Sequence, residues 1–382
     1  MPTSRSTADI DAWLEELWNV RGTDLLLTAG APPLIRVDGE MRPVTGGQMM
    51  SPISVERVVK GVVGPDLVAT YVAEREIDFA FSWQQRARLR CNAFHQRDSC
   101  SLALRIIPFE IPGFAQLGLP SIVESLVDLP MGLVIVTGPT GSGKSTTLAA
   151  MIDHINRYRR CHIVTIEDPI EYVHANHRSA VSQREVGTDT ESFTRALRSV
   201  LREDPDVLLV GEMRDQESIA TTLTIAETGH LVFATLHTND TAQAIDRIVD
   251  IFPSDRREQI QVQLASTLEG VVYQRLVPRL DGGLVAAYEI LMANHAVRNL
   301  VREGKTRQLR NIVATHQQEG MQTLEMGLNN LMAEDLIEYD TALRVSLYPK
   351  ELNRPSNYAG VRQFVSDGSS ALATEAPRVT SI

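Results

Sequence analysis

Residues 133–145 read Leu133-Val-Ile-Val-Thr137-Gly138-Pro-Thr-Gly-Ser-Gly143-Lys144-Ser145. From Gly138 the spacing is G-x-x-x-x-G-K-[ST], that of a phosphate-binding loop. The apolar, β-branched run Leu133 to Thr137 leads directly into the loop. Beyond it, Leu148, Met151, Ile152 and Ile155 recur at helical spacing. Strand, loop and helix are the arrangement a phosphate needs. Glycines let backbone N–H groups turn inward, and the helix start adds its positive end. Gly138, Pro139, Thr140, Gly141, Ser142, Gly143, Lys144, Ser145 and Thr146 are therefore candidate ATP-binding residues. Lys144 would reach the β- and γ-phosphates, and the Ser145 hydroxyl would hold Mg²⁺.

Three more strand ends downstream carry polar groups. Asp206-Val-Leu-Leu-Val-Gly-Glu212 is an apolar run ending in an acid, the Walker B arrangement, without the usual terminal Asp. Glu212 is thus the natural catalytic base, or a group that orients Mg²⁺. Ile163-Val-Thr-Ile166 ends in Glu167-Asp168-Pro169, and Leu231-Val-Phe-Ala-Thr-Leu236 ends in His237, with His230 just before the run. In open α/β sheets, ligands bind beyond the carboxyl ends of strands. Glu167, Asp168, Glu212 and His237 are expected to converge on one nucleotide, with Glu167 and Glu212 near the metal. Arg90 and Arg105, from the first part of the chain, are candidates to neutralise charge in phosphoryl transfer; on residue evidence alone, solvated strand arginines are the simpler reading.

The remaining sequence sets the frame. At 382 residues the chain is long enough for two domains. Its 43% hydrophobic and 22% charged content is that of a globular protein. The net charge of −11 argues against non-specific nucleic-acid binding. Cys91, Cys100 and Cys161 form no C-x-x-C pair, which fits a reducing compartment. No basic start followed by an apolar run marks a signal peptide, and no apolar run is membrane-length.

Residues 1–107 read as a small α+β domain. Helices are expected at Ile10 to Val20, Ser54 to Val63 and Asp66 to Ala73, with strands at Asp24–Thr28, Leu34–Val37, Glu40–Val44, Arg88–Phe94 and Ser101–Ile107. Gly30-Ala-Pro-Pro33 and Asp38-Gly39 mark turns. Residues 108–130, with their prolines, read as an interdomain linker holding a short helix at Ser121 to Val127. Residues 131–350 alternate strand and helix, then become helical, with Leu324, Leu328, Leu331 and Met332 on one face. Residues 351–382 turn polar and small, and are expected to be disordered.

Taken together, the motifs resemble a known family. Gly138 to Thr147 resembles the Walker A box of the secretion ATPase superfamily, and Thr165-Ile-Glu-Asp-Pro-Ile-Glu-Tyr172 its Asp box. Leu201 to Asp215 resembles its Walker B box, and Glu227 to Thr238 its His box. Ala296-Val-Arg-Asn-Leu300 is similar to the Ala-Ile-Arg-Asn-Leu signature of type IV pilus retraction ATPases, the twitching-motility PilT family, with Val297 in place of Ile; Gly320-Met-Gln-Thr-Leu324 is similar as well. The resemblance implies a PAS-like first domain, a RecA-like P-loop ATPase domain with C-terminal helices, and a homohexameric ring. It implies Glu212 as catalytic glutamate, His230 and His237 as His-box histidines, and Arg90 and Arg105 as arginines reaching the nucleotide. The implied partners are an inner-membrane pilus platform protein and, in some systems, a paralogous retraction ATPase. The implied location is cytoplasmic, docked on the inner membrane through partners.

Assembly and type II secretion ATPases are the alternative. They carry a four-cysteine zinc element after the Walker B strand, whereas no cysteine follows Cys161 here. A conjugation-type DNA-transport ATPase shares the loop but not the signature at Ala296 to Leu300.

Overall fold

The computed structural model describes residues 8–37, 39–84 and 86–355. The expected turn at Asp38-Gly39 therefore lies partly outside the described residues, as does most of the expected disordered tail.

The chain opens with helix α1 (Asp11–Asn19), which buries Leu14 and Leu17. Strand β1 (Asp24–Thr28) alternates, with Leu25 and Leu27 fully buried, as one covered face requires. The turn at 30–33 returns it as β2 (Leu34–Val37), followed by β3 (Glu40–Pro43). Helix α2 (Pro52–Val63) begins where Ser51 caps it, its hydroxyl accepting from the Ser54 N–H at 3.2 Å, with proline in the first turn. Helix α3 (Pro65–Glu74) follows, then β4 (Glu76–Trp83), β5 (Ala87–Gln96) and β6 (Ser99–Pro108). These strands form one antiparallel sheet in the order β3-β2-β1-β6-β5-β4. The sequence reading leaves β4 unassigned. Its apolar side chains Ile77, Phe79, Phe81 and Trp83 alternate with Glu76 and Asp78, as an edge strand over a core demands.

The connection carries α4 (Phe114–Leu117) and α5 (Ile122–Val127). Phe114, Val123, Leu126 and Val127 pack into the core beneath the second sheet. The Arg159 guanidinium donates to the carbonyls of Val127 and Leu129 at 2.9 and 3.1 Å, fixing where the connection ends.

Strand β7 (Gly132–Thr137) leads into α6 (Lys144–Tyr158) through the glycine loop. Then follow β8 (His162–Glu167), β9 (Ala180–Glu185), α7 (Phe193–Val200), β10 (Val207–Val210) and α8 (Gln216–Glu227). After these come β11 (Leu231–Leu236), α9 (Thr241–Asp250), α10 (Ser254–Thr267), β12 (Leu268–Pro278) and β13 (Leu284–Met292). The sheet order is β13-β12-β7-β11-β10-β8-β9, parallel except for β13. Strand β11 thus separates the loop strand β7 from β10. Every residue of β7, β10 and β11 is buried. Alternate residues serve the two faces: Ile135, Leu208 and Val232 pack under helices α7 to α10, while Val136, Leu209 and Phe233 pack under α4 to α6. Helices α11 (His295–Arg302), α12 (Leu309–Thr315), α13 (Leu324–Ala333) and α14 (Tyr339–Val345) follow, with Leu324 and Leu328 buried against Tyr273 and Val277 of β12. Arg298, in the retraction-like segment, donates to the carbonyls of Ala265 and Ser266 at 3.0 and 3.1 Å, closing the C-terminus of α10. Among the described residues, no helix is long and apolar enough to cross a membrane.

Leu208 is fully buried at the centre of this sheet. Leu208→Ala should lower unfolding free energy by about 2–5 kcal/mol, measured by urea titration. His174 is a buried base whose Nδ1 has no protein partner. Burial, helped by the nearby His177 charge, pulls its pKa down from 6.5 to about 4, against a weaker opposing pull from Asp153. The folded chain holds it neutral while the unfolded chain takes up a proton. The stability it contributes is therefore present above pH 6.5 and lost as pH falls towards 4, by about 3 kcal/mol in all. His174→Gln should flatten the fall in urea midpoint between pH 7 and pH 4.5 relative to wild type.

Candidate nucleotide site

The loop stands on the neighbouring strand. Gly138 has φ 145°, and a Cβ there would lie 2.2 Å from the Gln274 carbonyl oxygen. Gly143 has φ 86°, and a Cβ there would lie 2.7 Å from Gln274 Nε2. Only glycine fits either position. Gln274, buried on β12, accepts from the Thr147 hydroxyl at 2.7 Å, so one side chain braces both the loop and the first turn of α6. The sequence reading did not single out Gln274. The Ser142 hydroxyl is buried inside the loop without a protein partner. A glycine cradle, an orphaned buried hydroxyl and a helix start are a donor set suited to phosphate oxygens.

The Lys144 ammonium donates to the carbonyls of Gly138 and Pro139 at 2.8 and 2.9 Å. Its nitrogen lies 3.4 Å from His237 Nδ1. His237 Nε2 lies 3.5 Å from Glu212 Oε1. Burial, then the adjacent Lys144 charge, push the His237 pKa below its usual value. The ring is therefore neutral near pH 7. The tautomer that satisfies both neighbours accepts at Nδ1 from Lys144 and carries its proton on Nε2, facing Glu212. This line of contacts exists because β11 lies between β7 and β10.

Threonines tie the strand ends together. Thr238 N–H donates to Thr137 Oγ1 at 3.1 Å, joining the ends of β7 and β11. Thr235 donates to the Gly211 carbonyl, joining β11 to β10. At Gly211 a Cβ would lie 3.1 Å from the Ile166 carbonyl and 3.2 Å from Glu167 Cα, so glycine brings Glu212 close to β8. Glu212 pairs with Arg214 at 2.7 Å. The Glu167 carboxylate accepts from the hydroxyl of Thr165 at 2.6 Å and from Gln183 Nε2 at 3.2 Å. Burial pushes its pKa up to about 6, against the pull of these hydrogen bonds. Among the described residues, no cluster of three or more His, Cys, Asp or Glu is built to hold a metal. Ser145, Glu167 and Glu212 line one cleft, and their oxygens are a donor set that suits Mg²⁺ arriving with phosphate oxygens as further ligands.

These groups line one cleft of about 720 Å³. Its far wall comes from the first sheet: Thr23, Asp24, Arg36, Arg105 and Ile106. The Arg88 guanidinium also reaches Glu185 at the end of β9, at 3.5 Å. Arg105, a candidate from the sequence, lines this cleft. Arg90 is not among the cleft-lining residues; it stands beside Arg105, one strand further out. His230 is a correction. It precedes β11, at the opposite end of the strand from His237, about 20 Å away at the rise of a β-strand. There its Nδ1 lies 3.1 Å from the Ile225 carbonyl, and its own carbonyl accepts from Gly132 N–H at 3.0 Å. Thr146 lies by the loop with its hydroxyl 2.9 Å from Tyr172 OH. Arg36, Asp24 and Arg214 are cleft residues that the sequence reading missed.

Comparison with known proteins follows the same lines. The type II/IV secretion system protein family model matches residues 88–319. The chain is 45% identical over 331 residues to the type IV pilus retractation ATPase PilT of Pseudomonas aeruginosa, covering 86% of this chain and 95% of that protein. It is 47% identical over 313 residues to a twitching motility protein of Neisseria gonorrhoeae, covering 82% of this chain and 83% of that protein. The crystal structure of the pilus retraction motor PilT with bound ADP is similar at a TM-score of 0.82 and 46% identity, covering 89% of this chain and 97% of that one. A phosphate loop, an acid and a histidine on adjacent strand ends, an α/β core under an antiparallel first sheet, and this depth of similarity lead to one conclusion: the chain belongs to the type II/IV secretion ATPase family, in its type IV pilus retraction branch.

Proposed function

We propose that this protein is a ring-forming motor that hydrolyses ATP to ADP and phosphate and uses the work to retract type IV pili in twitching motility. The observation that carries the reading is the line Lys144–His237–Glu212 on the floor of a cleft whose opposite wall carries Arg105.

The chemistry follows from these groups. Lys144 exchanges two loop carbonyls for β- and γ-phosphate oxygens, a stronger, charge-assisted pairing. Mg²⁺, held by Ser145 with Glu167 and Glu212 at hand, would supply neutralisation of phosphate charge. Glu212 takes the proton of the attacking water as its oxygen bonds to the γ-phosphorus and the bond to the β-phosphate oxygen breaks. Neutral His237 donates through Nε2 and orients that carboxylate. Arg105 supplies positive charge from the first sheet, so catalysis requires the two sheets to close on the nucleotide. That closure is the movement a ring of six copies would convert into work on an inner-membrane platform protein. Peripheral docking there follows from the partner, and a paralogous retraction ATPase is a further candidate partner. The assembly reading shares this cleft but lacks support from the segment Ala296 to Leu300.

Lys144→Ala should abolish ATP turnover. Glu212→Gln should retain ATP binding while lowering kcat by about 10²–10³-fold in a phosphate-release assay; undiminished turnover would remove Glu212 from its role. A deletion strain should be hyperpiliated and unable to twitch, scored by electron microscopy and a stab assay. Bald cells would transfer the protein to pilus assembly.

A further inference from the structure

Strand register places four charged residues in one row across the first sheet. Arg36 on β2 faces Asp24 on β1, Asp24 faces Arg105 on β6, and Arg105 faces Arg90 on β5. Directly opposed residues share a face. The opposite face is core: Leu25, Ile35, Leu89 and Leu104 are buried there. The row holds three guanidinium groups and one carboxylate, and Arg105 and Arg90 are like charges side by side, which costs stability in a sheet. Such a row is short of negative charge, and Arg36, Asp24 and Arg105 line the same cleft as the phosphate loop.

The single carboxylate is shared. Asp24 Oδ1 accepts from Arg105 Nε at 2.8 Å. Arg36 Nε lies 3.4 Å from Oδ2, which also accepts from the Thr23 hydroxyl at 2.7 Å. Asp24 thus holds Arg105 by a hydrogen bond at Nε and Arg36 by an ion pair at Nε. One terminal amino group of Arg36 donates to the Gly39 carbonyl at 2.8 Å. Among the described residues, the terminal amino groups of Arg105 have no partner, although its side chain is 62% exposed. A guanidinium held at Nε keeps its plane fixed and its terminal N–H groups available to a second anion.

We propose that Asp24 is a positioning residue that holds Arg105 and Arg36 as a two-armed clamp on the nucleotide's phosphates, with Arg36 as a further nucleotide-binding residue. The clamp deepens the motor reading above and rests on it. Asp24 carries no chemistry of its own. It acts only through the two arginines, so its loss must be masked once they are gone. A carboxylate that merely stabilised the sheet would cost the same in any background.

The test is a mutant cycle on the full-length protein, with steady-state ATPase kinetics and binding of a fluorescent ATP analogue. Asp24→Asn and Arg105→Ala should each lower kcat/KM by about tenfold or more, and Arg36→Gln should weaken ATP analogue binding by about tenfold, as expected for loss of a charged hydrogen bond. Adding Asp24→Asn to the Arg36→Gln/Arg105→Ala double variant should change kcat/KM less than about twofold. An undiminished Asp24→Asn effect in that background overturns the clamp alone. Wild-type activity in Arg105→Ala overturns the underlying site reading and the clamp together. If Asp24→Asn does not fold, Arg36→Gln decides: analogue binding within about twofold of wild type overturns the second arm and with it the clamp.

Discussion

Burial of the parallel strands on both faces is the constraint on which the rest depends. Strands β7, β10 and β11 have no exposed residue, and β8 is buried except at its ends. Helices cover each face, so no polar side chain can leave the sheet along its length without losing hydration. Polar chemistry is forced to the strand ends. At the carboxyl edge, the glycine loop, Glu167, Glu212 and His237 emerge side by side, and the helix starts beyond them supply backbone donors. Asp215 and Asp240 cap α8 and α9 just after Glu212 and His237, which fixes where each of these turns stops.

The first sheet solves the opposite problem. Only one of its faces is core, so the other can carry charge. The row Arg36–Asp24–Arg105–Arg90 uses that freedom and turns a solvated sheet face into the far wall of a phosphate cleft. One sheet thus supplies a floor whose strand ends are held by threonine cross-ties. The other supplies cations on long side chains. In the proposed motor, nucleotide between them is a bridge of negative charge that couples binding to closure.

A second charged centre lies away from the cleft and stays structural. Arg310 pairs with Glu325 and Glu351 at 3.0 and 2.6 Å and lies over the Tyr348 ring. Glu325 also accepts from the N–H groups of Leu347 and Tyr348. This network fastens residues 346–351 to α12 and α13.

How much was legible in the residues follows from range. The loop, its helix and the acid at Glu212 were readable because their chemistry sits in contiguous segments with fixed spacing. Strands β4, β9, β12 and β13 were not assigned. The first needs its alternation weighed against a preceding helix, and the second, Ala180-Val-Ser-Gln-Arg-Glu185, is a polar edge strand that pairing alone keeps extended. His230 and His237 bracket one apolar run, and only the direction of a strand separates them: one end meets the loop and the other meets the far side of the sheet. Arg36, Asp24 and Arg105 are distant in sequence, and only antiparallel register makes them neighbours. Gln274 carries no signal of its own until β12 is laid beside β7. The sequence by itself determined the glycine loop between strand and helix, an acid just beyond a buried strand and the α/β class, because glycine conformation, burial and helical period are local. Tertiary structure decided which histidine, which arginines and which brace serve the cleft, because strand order and register alone bring residues from separate segments within bonding distance.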